Sequence, residues 1–344
     1  MTEDEKIKIL NAYPWSFSKV NSYETCPRMF LLSYLEKHEK ESNAFSEYGS
    51  FCHSLLERYY NGNVEFFELS EIYEDEFYQN VVTPFPPSQY ADMLELYYNQ
   101  GLEYFNNFEG NTGHTKIIAV EEKAEYTIGN YKFIGFIDLV LENKGELILV
   151  DHKSKKSFKT QQEKEKYLRQ LYLYAGYVFK KYGKYPSKLI FNMFRTRSRE
   201  VELFCLEKLY QAEDWFIQTI EKIYCDTEFR SKFYIRNLEF SYNDRHIRWR
   251  YVGDCYWHKL IAIDDLEIAD GNNLYIAFSN LYPNTDEDIY FHQEGHEPNY
   301  IGVALTDDNE APTAFICYTW IRFTNDFFCD YICSTRKSCS VHIE

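Results

Sequence analysis

Three residues near the middle of the chain have the types and spacing for hydrolytic phosphate chemistry. They are Asp138, Asp151 and Lys153. The two acids lie in runs that are otherwise apolar and β-branched, where a lone carboxylate is costly unless something pairs with it. A divalent cation would be such a partner. Lys153 follows Asp151 at a spacing of two, so in a strand both side chains face the same way. The lysine would then steady the negative charge that develops on a phosphate.

These residues need a rigid carrier, and the local sequence supplies one. Residues 131–141 and 146–151 read as the arms of a β-hairpin. Asn143-Lys144-Gly145 is its turn, with Gly145 free to take positive φ. An alternating strand precedes the hairpin from about Lys116, with Gly129-Asn130 as the turn between them. On that strand Glu121 and Glu122 read as exposed acids, one or other of them within reach of a metal. A helix follows the hairpin from about Gln161 to Tyr182, then strands over 188–196 and 200–205, then a helix over 206–224. This order predicts a mixed sheet with helices on both faces. Upstream, residues 1–15 read as a loose lead-in. Ser16 or Ser18 caps a short helix to Thr25, and a second helix runs from Arg28 to about Lys40. A third spans Ser46 to Tyr60, with His53 beside its apolar stripe; taken alone, His53 is an ordinary surface or core histidine. Residues 64–110 read as helical and acidic, broken at Pro84–Pro87.

The chain has 344 residues and a net charge of −17. That balance alone argues against nucleic acid, but the distribution does not. Residues 152–199 hold 14 Lys and Arg against Glu163 and Glu165, a local +12 that leaves −29 elsewhere. A basic face beside the hairpin fits phosphate binding, with a solvated helix surface as the plain alternative. No apolar run reaches membrane-span length, and the acidic start has no signal-peptide core. The expected location is the cytoplasm. Nine cysteines in a reducing compartment point to metal or cluster ligation rather than to disulfides.

The hairpin, with Gly135-x-x-Asp138 and then Asp151-x-Lys153, resembles the PD-(D/E)XK nuclease superfamily, and specifically its RecB-like exonuclease branch. Four further stretches carry the likeness. They are Gly49–His53 (G-S-F-C-H), Gln170–Ala175 (Q-L-Y-L-Y-A), Ser16–Pro27, and the segment Cys329–Cys339. The resemblance covers residues 14 to about 230 and 323–340. It implies an α/β restriction-endonuclease-like core over 14–235. It also implies Mg²⁺ or Mn²⁺ on hard ligands: Asp138, Asp151 and the backbone carbonyl of His152, with His53 added. Lys153 would orient water and stabilise the phosphorane, and Gln170 and Tyr174 would position the DNA strand or the lysine. Cys26, Cys329, Cys333 and Cys339 would hold a [4Fe–4S] cluster that staples 323–344 to Cys26; here the first pair is C-x3-C where the branch usually has C-x2-C. Zinc would accept the same thiolates. The other five cysteines read as small core residues.

Residues 236–322 do not fit the family and read as a β-rich insert. Its exposed Trp and Tyr would suit a protein partner. Within it, Cys255, His258, His292 and His296 could form a zinc site, though exposed histidines are the simpler reading. The chain has no P-loop, so any motor would be a separate partner. The expected activity is metal-dependent cleavage of DNA at ends or in single strands. Its rival is a catalytically silent DNA-binding or scaffold protein that keeps the fold.

Overall fold

A computed structural model describes residues 2–86, 88, 91–110, 115–229 and 332–335, together with the backbone of seven further strands between 237 and 324. The chain divides into two compact units, Met1–Arg230 and Ser231–Glu344.

The first unit is built on a five-stranded sheet: β1 (Lys116–Ile128), β2 (Tyr131–Asn143), β3 (Glu146–Lys153), β4 (Lys188–Met193) and β5 (Ser198–Leu203), side by side in that order. β3 and β4 run parallel and every other pair is antiparallel. The parallel step needs a crossover, and helix α7 (Gln161–Tyr182) provides it. Thr160 caps α7 by accepting from the Glu163 N–H, and Gly183 ends it in the left-handed region at φ 74°. The turn of the β2–β3 hairpin is tight. Lys144 and Gly145 both take positive φ, 51° and 85°, as a two-residue hairpin requires.

Helix α7 and α8 (Leu206–Cys225) pack on the sheet through one core that includes Leu149, Leu171, Ala175, Phe191, Phe216 and Ile220. A second, aromatic core joins three helices: α4 (Ala44–Tyr60), α5 (Leu69–Asn80) and α6 (Met93–Asn106).

The N-terminal residues are not a loose lead-in. Residues Glu3–Asn11 form helix α1, closed by a capping box between Thr2 and Glu5. Lys6 on α1 is buried and donates to the carbonyls of Tyr224 and Asp226 at the end of α8, at 2.6 and 3.0 Å. The expected helix over residues 16–25 is present as α2 (Phe17–Thr25), with Ser16 as its cap. Helix α3 (Pro27–Phe30) continues as a π turn, Leu31–Leu35, and stops there rather than near Lys40; Lys37 at φ 56° reverses the chain. Trp15 bridges β2, donating to the Lys132 carbonyl and accepting from the Ile134 N–H, each at 2.8 Å.

The second unit contains a seven-stranded antiparallel sheet. Its strands are β6 (Asn237–Tyr242), β7 (Arg245–Val252), β8 (Trp257–Ala262), β9 (Asn273–Ala277), β10 (Gly302–Thr306), β11 (Pro312–Cys317) and β12 (Ile321–Thr324). The order is β11-β10-β9-β8-β7-β6-β12. Six strands meander in sequence, and the last returns to the first, with Thr324 opposite Asn237.

Candidate active site

The side chains singled out by spacing converge where β1, β2 and β3 meet α4 and α7. Asp138 lies on β2 and Asp151 and Lys153 on β3. Asp151 is almost fully buried. Its Oδ2 lies 2.7 Å from Lys153 Nζ, yet the same oxygen has no properly directed hydrogen bond. The two observations agree if the contact is an ion pair with poor donor geometry. A buried carboxylate oxygen left in that state is costly. Lys153 Nζ also donates to Gln170 Oε1 at 3.1 Å, and Gln170 Nε2 donates to the Tyr174 hydroxyl at 3.0 Å. Gln170 and Tyr174 are one turn apart on α7, so their spacing sets up this line. Gly135 on β2 makes room for it: a Cβ there would lie 2.5 Å from the Tyr174 ring.

His53 comes from α4. Its Nε2 is 2.8 Å from the carbonyl of His152. A carbonyl only accepts, so Nε2 carries a proton, and the ring turns its Nδ1 toward Asp138 Oδ2, 3.5 Å away. His152 is the hub of this arrangement. Its backbone N–H donates to Asp138 Oδ2 at 2.7 Å, while its carbonyl holds His53. Its buried imidazole accepts from Asn192 Nδ2 at 2.9 Å and stacks on Tyr60 at 6.0 Å. Burial, reinforced by His53, Lys153 and Arg199, pushes this imidazole well below the usual histidine range and keeps it neutral.

A further acid joins the group. Glu121 on β1 brings its carboxylate within 4.8 Å of the ligand atoms of His53 and Asp138. Burial pushes the Glu121 carboxyl up to about 7, helped by Asp138, Glu57 and Asp151. Burial and then Asp151 push Asp138 upward too, against the pull of His53, the His152 N–H and Lys153. Glu57, one turn after His53 on α4, adds to the negative field. Glu122 belongs elsewhere: it accepts from the Tyr182 hydroxyl at 2.8 Å and pairs with Lys181 on α7.

The backbone explains why Glu121 and not Glu122 reaches the site. Glu121 sits at φ 47°, in the left-handed region that glutamate rarely adopts. It stands opposite Asp138, between the pairs Val120–Leu139 and Glu122–Ile137. Ala119 and Ala124, five residues apart, pack to the same core, as do Ile137 and Val140, three apart. Strict alternation would send the members of each pair to opposite faces. Both strands therefore break step at Glu121 and Asp138. Broken alternation is a signal that sequence reading can catch; the positive φ is not.

The donor set fits a hard divalent cation. It offers a group of carboxylates whose charges help push Glu121 and Asp138 upward, the Nδ1 of His53, and a buried carboxylate oxygen short of hydrogen bonds. Of the four cysteines, Cys26 is buried at the junction of α2 and α3 and Cys333 is buried in the second unit. Cys329 and Cys339 lie outside the described residues, as do Cys255, His292, His296 and the side chain of His258.

A family model described as the PD-(D/E)XK nuclease superfamily matches residues 14–233. No curated protein matches the chain. Among the described residues no helix is long and apolar enough to cross a membrane.

Proposed function

The chain belongs to the PD-(D/E)XK nuclease superfamily, and from that premise we propose that it is a divalent-metal-dependent deoxyribonuclease, an exonuclease of the RecB-like type acting on DNA ends or single strands. The observation that carries this reading is the Asp151 carboxylate, buried and short of hydrogen bonds beside Lys153, Asp138 and His53. His53, Asp138, Asp151 and the His152 carbonyl hold Mg²⁺ or Mn²⁺, with Glu121 as an added oxygen donor. When bound, the cation activates water and neutralises phosphoryl oxygens.

The chain's own groups do the rest. The His152 N–H fixes one Asp138 oxygen, and its carbonyl fixes the tautomer of His53. Lys153, held by Asp151 and Gln170, presents its ammonium where charge grows on the phosphorus. Tyr174 holds Gln170 in turn.

Asp138→Asn and Asp151→Asn are expected to abolish cleavage of end-labelled DNA in Mg²⁺ or Mn²⁺. Lys153→Ala is expected to cost about 100- to 1,000-fold in turnover while DNA binding persists. Parent-like cleavage by all three variants sinks the assignment. DNA binding without cleavage by the parent favours a silent scaffold.

We propose also that Cys26, Cys329, Cys333 and Cys339 hold a [4Fe–4S] cluster, on the strength of the C-x3-C-x5-C pattern and the early C-P. Protein purified without oxygen should then be brown and lose its colour in Cys329→Ser. Colourless protein with stoichiometric zinc would replace the cluster by a zinc site.

A further inference from the structure

Helix α2 is nine residues long, and its first turn has donors to spare. The Ser16 cap accepts the Lys19 N–H at 3.1 Å, and the Val20 N–H bonds the Ser16 carbonyl. The Phe17 and Ser18 N–H groups remain, with no acceptor among the described residues. Ser18 is exposed, so this end of the helix is open to solvent. The Ser16 and Ser18 hydroxyls lie 3.0 Å apart beside it.

Lys19 points to the same end. It is only 7 % exposed, and among the described residues its ammonium has neither a carboxylate nor another hydrogen-bond acceptor. Helical side chains lean toward the N-terminus, and this one reaches back past the cap. Its Nζ stands 4.1 Å from the centre of the Trp15 ring and 5.8 Å from that of Tyr34. Lys40, also without an acid partner among the described residues, holds its ammonium 4.2 Å from the same Tyr34 ring. Burial pushes the Lys19 ammonium down to about 8, and no anion pulls it back. The aromatic rings offset part of that cost, but the counter-charge is missing.

Strand β2 fixes where this helix start lies. β1 takes one edge of β2, and β3 takes the other from Leu139 onward. Trp15 takes that second edge further back, beside Phe133, and runs parallel to β2. Past Trp15 the chain therefore heads toward Asp138. Trp15 accepts the Ile134 N–H, and from Ile134 to Asp138 is roughly 13 Å. That distance is a few phosphates along a strand, away from the one being cut.

We propose that the start of α2, with Lys19, is a second phosphate site, which holds the DNA strand by a phosphate a few nucleotides from the bond to be cut. This rests on the nuclease reading above. The Phe17 and Ser18 N–H groups supply directed donors and the positive end of the helix dipole, and the ammonium supplies charge. A phosphate brings what the spot lacks, a negative charge with several acceptor oxygens. Such a contact sets the register of the strand and carries no sequence preference.

The test is a scan of single neutral methylphosphonates along a single-stranded oligonucleotide bound to the full-length Lys153→Ala protein. One position a few nucleotides from the cleavage site should cost about tenfold in affinity. With Lys19→Met added, that position should fall silent while the others keep their effect. The slope of log affinity against log salt should shrink by about 0.7, one phosphate on a single strand. Lys19→Met should also match or exceed the parent in Tm, because an unpaired buried charge is gone. If the lysine only props Trp15, Lys19→Met lowers Tm and leaves the scan unchanged, which overturns the proposal. A sensitive position found only at a phosphorylated strand end supports the site and makes its ligand a terminal monoester. A flat scan together with Lys19-dependent stabilisation by inorganic phosphate means an adventitious ion only and overturns the strand role, as does failure to bind any oligonucleotide. The absence of cleavage by native protein with any metal sinks the nuclease reading instead, and the scan still reads this site.

Discussion

At the scale of single residues, Glu121 carries the clearest pH dependence. Its carboxyl is raised from 4.5 to about 7 by burial and by neighbouring acids. Between those values the folded chain keeps a proton that the unfolded chain has lost. Stability therefore falls as pH rises through this window. Metal-free protein should melt at progressively lower temperature from about pH 4.5 to about pH 7, and Glu121→Gln should make that slope shallower. Mn²⁺ competes with the proton, so it should raise Tm more at pH 7.5 than at pH 5.5. Thermal melts with chelator and with Mn²⁺ decide this; an unchanged slope in Glu121→Gln refutes it. The other members of the site differ in how visible they are in sequence. Asp138, Asp151 and Lys153 can be read because an acid in an apolar strand is anomalous by itself. Glu121 resembles any exposed strand glutamate until its φ of 47° is known. Glu57 is visible only once α4 has placed His53 over the sheet.

At the scale of elements, the junction of β2 with α7 depends on a missing side chain. Gly135 has ordinary strand neighbours, yet a Cβ on it would meet Tyr174 Cε1 at 2.5 Å. The aromatic ring cannot yield without releasing Gln170, which it holds at 3.0 Å. Gly135→Ala should cost roughly 1–3 kcal/mol in stability and most of the cleavage, while Mn²⁺ binding survives. Calorimetry on Gly135→Ala, Tyr174→Ala and the double variant tests this. The double variant should be more stable than the sum of the single losses implies, because the clash disappears with the ring. Strict additivity would show that the contact is not the cause. The hairpin was legible because Asn143-Lys144-Gly145 marks its turn by known backbone chemistry, and the span expected for α7, Gln161 to Tyr182, is the span observed. The π turn at Leu31–Leu35 has no such marker, and the helix it ends was expected to run several residues further.

At the scale of the whole molecule, the chain closes its first unit from both ends. Helix α1 looked like a tail because its sequence is acidic and short. Its role lies in contacts no local pattern shows: Leu10 in the core, and Lys6 on the last carbonyls of α8. The β-rich character of residues 236–322 was legible from short apolar runs, whereas the strand order was not. Thr324 pairs with Asn237, so the sheet begins and ends at neighbouring points, and cross-strand partners lie only about 5 Å apart. Replacing 238–323 by a short Gly/Ser linker should therefore leave a soluble protein that melts cooperatively and still cleaves simple DNA ends. Insoluble or molten product would show that the first unit depends on the second.

The pairing of β12 with β6 also has a consequence in time. A ribosome releases β6 first and β12 roughly 80 residues later, which at about 5–20 residues per second is on the order of 4–16 s. The last helix of the first unit, which ends at Cys225, has already emerged by then. Through that interval β6 can pair with β7 on one side but presents an open edge on the other, the kind that recruits stray strands. Expression conditions that slow elongation would lengthen this exposure, and aggregation of nascent chains would begin at β6.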